Sequence, residues 1–244
     1  MKGVLNPLNI LRVRKYRKEK ANMGLFPYSG LEVYMGGQGK GKTITATKEI
    51  KDRLEQYPEA IFFTNVEIRG IKNKTFYFKN SEELVELLKK EITPEERKGY
   101  LIFIDEIHVV LAELFGKTDP IFLTFLSQQR KLSINIIGTS QMYNKLPRVI
   151  RDYLRQSGQI ILCNNFFKAI QVNKRLNMED IEENSKNNLV WQGCKLEIFF
   201  HTIELYESYN TFAVITQIQG LLNKDLRRVS DNGLPTNNDP ITEK

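Results

Sequence analysis

The 244 residues carry 41% hydrophobic and 27% charged side chains, enough apolar material for one α/β domain with a full core and too much for a disordered chain. No apolar run approaches the roughly 18 residues needed to cross a bilayer, and the N-terminus lacks the basic-then-apolar order of a secretory leader. The net charge of +7 is concentrated rather than spread, which excludes a generally basic, DNA-coating surface.

Residues 1–22 hold Lys2, Arg12, Arg14, Lys15, Arg17, Lys18 and Lys20 against Glu19 alone, a net +6. The apolar "VLNPLNIL" precedes the polycation "LRVRKYRKEK". Such an arm suits nucleic acid, an anionic membrane surface or plain solvent. Past the arm, "LEVYM" (Leu31–Met35) reads as the first core strand, bounded by Gly30 and Gly36. A helical pattern runs from Thr43 to about Gln56 and stops at Pro58. "AIFFT" (Ala60–Thr64) is a second buried strand, and 65–80 reads as a short hairpin or edge. "SEELVELLKK" (Ser81–Lys90) opens on a serine cap with glutamates in its first turn, so it is a helix. "YLIFID" (Tyr100–Asp105) is the most apolar strand. "PIFLTFLSQQRKL" (Pro120–Leu132) is a helix with proline at its start. The strand from Ile134 to Gly138 ends on Thr139, Ser140 and Gln141 instead of the usual turn residues. A short helix through Val149–Leu154 and a strand "QIILC" (Gln159–Cys163) complete the alternation.

Strands that alternate with helices, each strand a continuous apolar run, indicate a mostly parallel sheet covered on both faces. After about Lys168 the helices stop. "LVWQ", "KLEIFFHTIEL" and "NTFAVITQI" read as antiparallel strands, either additions to the sheet edge or a small β subdomain. The expected organisation is therefore a basic arm (1–22), an α/β domain (23–222, with core 29–165 and a β-rich part 166–222) and a mobile tail (223–244). Cys163 and Cys194 form neither a metal-site pattern nor a disulfide framework, which points to a reducing cytoplasm and to no structural metal.

"GGQGKGKT" (Gly36–Thr43) fits G-x-x-x-x-G-K-[ST], directly after a strand and directly before a helix, the context of a phosphate loop. Gly36, Gly37, Gln38, Gly39, Lys40, Gly41 and Lys42 wrap backbone N–H groups around phosphate oxygens. The helix start at Thr43 and Ile44 adds its partial positive charge. Lys42 is expected at the β- and γ-phosphates of ATP, and Thr43 on Mg²⁺. "YLIFIDEIH" supplies the second half. Asp105 stands at the carboxyl end of its strand, where ligands bind in open α/β sheets, and is expected to hold Mg²⁺ through water. Glu106 is expected to polarise a water for attack on the γ-phosphate. Adjacent carboxylates favour hydrolysis over transfer to a second substrate. His108 receives no role. Gln141 is expected to face the γ-phosphate, because in ATPases with a catalytic glutamate the next strand inserts between the phosphate-loop strand and the Asp-Glu strand.

"RKLSINIIGTSQ" (Arg130–Gln141) resembles the arginine–strand–glutamine block of the FtsK–HerA superfamily of DNA-pumping P-loop ATPases. The phosphate loop and "IFIDE" match its other two blocks. "FFTNVEIRGIKN", with Asn65 just past a strand, is similar to the zonula-occludens-toxin-like branch, though this chain has no transmembrane run. Its size is closer to viral genome-packaging ATPases. The resemblance spans about residues 29–165 and implies a P-loop fold of the additional-catalytic-glutamate type. It also implies a homo-oligomeric ring, usually a hexamer, with double-stranded DNA in its channel and a capsid-vertex or membrane partner. Arg130 would act across the subunit boundary as an arginine finger, with Arg148, Arg151 and Arg155 as alternatives. The implied activity is ATP-driven DNA translocation in genome packaging. Filamentous-phage assembly or plasmid transfer at the membrane is the alternative within this chemistry. A regulatory ATP-binding module that moves no DNA is the alternative outside it.

Overall fold

A computed structural model of the chain describes residues 26–92, 98–111, 120–177, 181–183, 189–191 and 194–209, together with the exposed Arg12, Arg14 and Lys15 of the basic arm. In chain order the elements are β1 (Gly30–Met35), α1 (Lys42–Gln56), β2 (Ile61–Thr64), β3 (Thr75–Tyr77), α2 (Ser81–Glu91), β4 (Tyr100–Ile104), α3 (Ile107–Val110) and α4 (Pro120–Leu132). There follow β5 (Ile134–Ser140), a 3-10 turn (Tyr143–Lys145), α5 (Arg148–Ser157), β6 (Gln159–Phe166), β7 (Ile170–Asn177), β8 (Ile181–Glu183), β9 (Leu189–Trp191), β10 (Lys195–Phe200) and α6 (Ile203–Glu207).

Eight strands form one sheet in the order β10-β7-β6-β1-β5-β4-β2-β3. From β6 to β3 all neighbours are parallel, whereas β7 and β10 are antiparallel. β1 is buried along its whole length, and side-chain alternation sends its residues to two cores. Leu31, Val33 and Met35 pack with Leu84 and Leu88 of α2, Phe122 and Leu126 of α4, and Ile150 and Leu154 of α5. Tyr34 faces the other way, with Ala46, Ile50 and Leu54 of α1. The chain is thus a three-layer α/β fold. β5 lies between β1 and β4, as expected, pairing Met35 with Ser140 and Ile104 with Gly138.

Several local expectations need correction. Of the two readings of residues 65–80, the edge holds and the hairpin does not: β3 pairs parallel with β2 and makes the sheet edge. Asn80, not Ser81, caps α2, accepting from the Glu83 amide at 2.9 Å, while Ser81 is buried inside the first turn. "LVWQ" contributes β9, which pairs with β8 in a separate two-stranded sheet rather than joining the large one. "KLEIFFHTIEL" is a strand only to Phe200; Thr202 then caps α6 through the Leu205 amide. β7, drawn from "IQVNKRLN", has no sequence expectation behind it, because its polar residues hide the strand period. "NTFAVITQI" and the tail lie outside the described residues. Among the described residues no helix is long and apolar enough to cross a membrane.

Candidate nucleotide site

The phosphate loop leaves the carboxyl end of β1 and enters α1 at Gly41, whose φ of 82° and ψ of 22° are left-handed. Gly39 also has positive φ, at 73°. At both positions a side chain would be strained. No side chain caps α1 and its first turn holds no acidic residue. Its first amides and its dipole are thus left for an anion from outside. Lys42 is buried, and its ammonium rests 3.3 Å from the Gly37 carbonyl oxygen of its own loop. Thr45 Oγ1 donates to Gly41 O at 2.7 Å and steadies the helix start.

β4 ends at Ile104, and Asp105 and Glu106 form the turn that follows. Thr43 Oγ1 donates to Asp105 Oδ1 at 3.2 Å, so the side chains expected to meet Mg²⁺ already meet each other. Hydroxyl and carboxylate oxygens of this kind suit a hard cation that keeps part of its water and shares the phosphates. Asn65, directly after β2, clamps Asp105 from behind: its Oδ1 accepts from Asp105 N at 2.8 Å and its Nδ2 donates to Asp105 O at 3.0 Å. From the other side Thr139 Oγ1 donates to Asp105 Oδ1 at 2.7 Å and accepts from the Glu106 amide at 2.8 Å. The hydroxyl that ends the apolar run of β5 is therefore a brace for the Asp-Glu turn. Its position, the first hydroxyl where the apolar run of β5 turns polar, is the signal that could have found it.

Glu106 is left-handed, with φ of 51°. A side chain in that region costs about 1–3 kcal/mol and persists where the surroundings over-determine it. Its Oε2 is buried without an aligned hydrogen bond, although His108 Nδ1 lies 3.3 Å away. Ser140 Oγ is 3.5 Å from the same nitrogen. His108 thus enters the site by position, one turn beyond Glu106. Gln141 is half-buried at the end of β5, where its Oε1 accepts from Lys145 at 3.1 Å. Lys40 donates to Asn164 Oδ1 on β6 at 3.0 Å.

Arg130 is exposed in the last turn of α4, just before β5 begins. That is the end of the sheet opposite the phosphate loop, because β5 runs parallel to β1. Arg148 opens α5 with its Nε 3.9 Å from Asp152. The Arg151 guanidinium stands 5.8 Å from the Tyr143 ring centre. Arg155 lies one turn further along the same helix.

A glycine-lined anion cradle, a lysine and a paired threonine and aspartate at the carboxyl ends of the central strands match a nucleoside triphosphate with Mg²⁺. Residues 33–162, more than half of the chain, match the ATPase family associated with various cellular activities (AAA). The chain belongs to this family. It is a P-loop ATPase, and Lys42, Thr43 and Asp105 lie within the stretch that defines its AAA membership. No curated protein sequence matches it. Among solved structures it is similar to the N-terminal domain of zonular occludens toxin from Neisseria meningitidis. That pair shares 17% identity over 75% of this chain and 99% of the other, with a TM-score of 0.49. It is also similar to B204, the DNA-packaging ATPase from Sulfolobus Turreted Icosahedral Virus (13%, 55% and 74%, TM-score 0.43). A third likeness is to the flagellar accessory protein FlaH from Methanocaldococcus jannaschii (15%, 76% and 95%, TM-score 0.43). All three share less than a fifth of their residues with this AAA ATPase, so its family assignment rests on the sequence match.

Proposed function

We propose that this ATPase is a DNA translocase motor that works as a ring, its task the packaging of a viral or phage genome inside the host cell. The observation that carries the reading is the separation of Arg130 from Gln141 along β5. The seven residues of that strand lie between them, roughly 20 Å at the usual rise per residue. Arg130 is out of reach of its own phosphate loop, so an arginine with a catalytic task must serve a neighbouring subunit. A ring supplies that neighbour, and the FtsK–HerA resemblance of the Arg130–Gln141 block favours a hexamer around double-stranded DNA.

In this reading Lys42 leaves the Gly37 carbonyl to neutralise phosphate charge, and Thr43 and Asp105 hold Mg²⁺. The bound Mg²⁺–ATP supplies the electrophilic γ-phosphorus. Glu106 accepts the proton of the attacking water. Gln141, a neutral amide, hydrogen-bonds that water or the phosphate and reports occupancy along β5. Arg130 of the adjacent subunit stabilises charge that develops in the transition state. The net +6 arm supports contact with a polyanion. The test is ATP turnover with and without double-stranded DNA, together with the native mass of the assembly. The reading expects a ring whose turnover rises with DNA. A monomer that hydrolyses ATP at one rate regardless of DNA contradicts it.

The apolar stretch ahead of the arm's polycation favours a second reading, a phage-assembly or plasmid-transfer ATPase at an anionic membrane. Flotation with anionic liposomes, with and without residues 1–22, separates the two. Arm-dependent flotation without DNA stimulation selects the membrane reading.

A further inference from the structure

The antiparallel strands at the sheet edge have no part in the chemistry so far, yet β7 reaches the phosphate loop. Gln171 is fully buried in β7, opposite Asn165 of β6 and Phe199 of β10. Its Nε2 donates to the Lys40 carbonyl at 3.1 Å and to Asn173 Oδ1 at 2.8 Å. Two oxygens on that side fix which end of the amide is the nitrogen. The amide also lies against Gly41, where an added Cβ would overlap it. Oε1, the amide atom nearest that Cβ position, is 3.2 Å from His201 Nε2. The other ring nitrogen is 2.7 Å from the Tyr206 hydroxyl of α6; with the Nε2 proton directed at Gln171 it accepts from that hydroxyl, whose oxygen also lies 2.6 Å from Lys168 O.

We propose that Gln171 is a positioning residue for nucleotide binding, acting through the backbone of Lys40 and Gly41. It rests on the ATPase reading and not on DNA. A loop with glycines at 36, 37, 39 and 41 has many conformations to lose when it closes on phosphate. An outside clamp removes that loss before the ligand arrives, which is how preorganisation adds affinity. Gln171 suits the task because both ends of its amide are engaged: one grips the loop, and the other is held by His201, itself braced by α6. A glutamine that served only to satisfy a strand edge would have no reason to bond a carbonyl 131 positions earlier in the chain.

The test uses the full chain, a fluorescent ATP analogue, inorganic tripolyphosphate as competitor, and DNA-free turnover. Gln171→Met keeps the length of the side chain and removes the donor without adding a charge beside the phosphate loop. We expect both ligands to bind about three- to tenfold more weakly, the range that one net hydrogen bond supports. KM should rise by the same factor, with kcat at saturation changed less than about twofold. Wild-type affinity for both ligands overturns the proposal, and so does a loss confined to ATP with tripolyphosphate unaffected. If Gln171→Met does not fold, His201→Ala frees the same amide from its partly exposed end. It should weaken both ligands at least about twofold, the low end of one hydrogen bond, and unchanged affinity again overturns the proposal. A wild-type chain that binds tripolyphosphate but ignores DNA defeats the motor reading alone.

Discussion

The two ends of α1 each carry a cluster of polar groups, and the clusters are built on opposite principles. At the C-terminal end Arg53 is buried and bonds Glu32 Oε1 at 2.7 Å and Oε2 at 3.0 Å. Arg175 reaches the same carboxylate at 3.0 Å and Glu197 at 2.9 Å, and Asn135 adds a bond from β5 at 3.2 Å. Charge there is matched by charge. At the N-terminal end the helix has no side-chain cap, Lys42 rests on a backbone carbonyl, and Glu106 Oε2 has no aligned donor. Buried polar groups are normally satisfied, and an unpartnered carboxylate oxygen beside a phosphate loop suits a ligand that supplies its partner. Concavity points the wrong way. A cleft of about 450 Å³ lies over the matched cluster, lined by Tyr28, Glu49, Arg53, Arg175 and Glu197, at the far end of β1 from the phosphate loop.

The largest expected effects break the open cluster. Lys42→Ala should abolish nucleotide binding by removing the cation for the β- and γ-phosphates while leaving thermal stability nearly unchanged. Glu106→Gln should bind ATP and turn it over about a hundredfold more slowly or worse. Near-native turnover in that variant removes Glu106 as the base.

The matched cluster should respond in the reverse sense. Glu32→Gln leaves buried guanidinium groups short of a partner, which costs about 3 kcal/mol in denaturant unfolding. The KM for ATP should stay within about twofold in the folded fraction, since the change is remote from the phosphate loop. Burial by itself raises the Glu32 carboxyl, but the Arg53 charge and hydrogen bonds, with help from Arg175 and Asn135, outweigh it and hold the group below its usual 4.5. Its folded pKa is lower than its unfolded one, so its contribution is complete above pH 4.5 and disappears as pH falls through the folded value. Acid titration of stability should therefore be shallower in Glu32→Gln than in the wild type. Equal curves mean that Glu32 is not the group that titrates.

The smallest effect sharpens the comparison at a second helix. α2 supplies for itself what the start of α1 lacks, with the Asn80 cap and Glu82 and Glu83 in the first turn. Asn80→Ala should cost about 1 kcal/mol in denaturant unfolding and leave ATP affinity unchanged. A change in affinity would mean that α2 is coupled to the site.

The parallel core was legible because each of its strands is an apolar run with a distinct end. The phosphate loop and the Asp-Glu pair were legible because their spacing carries chemistry. Two kinds of feature were not. β7 escaped because Gln171 and Asn173 are polar residues buried by their partners rather than by their hydrophobicity, with the half-buried Arg175 beside them, and a pattern of apolar positions does not register them. Asn65, Thr139 and His108 act on Asp105 and Glu106 from three different elements. Their roles depend on strand order: Thr139 braces Asp105 only because β5 is inserted beside β4. The polar ending of β5 was visible in the sequence, whereas its partner was not.

The central claim is a site shared between subunits, and mixing tests it most directly. Arg130→Ala subunits keep an intact Lys42 loop, and Lys42→Ala subunits keep an intact Arg130. Each alone should be nearly inactive. Rings formed from both, verified as mixed by native mass, should recover part of the wild-type turnover, because an intact loop then faces an intact arginine. Mixed rings that show no recovery, with Arg130→Ala fully active by itself, contradict the account and move the search for the finger to Arg151 and Arg155.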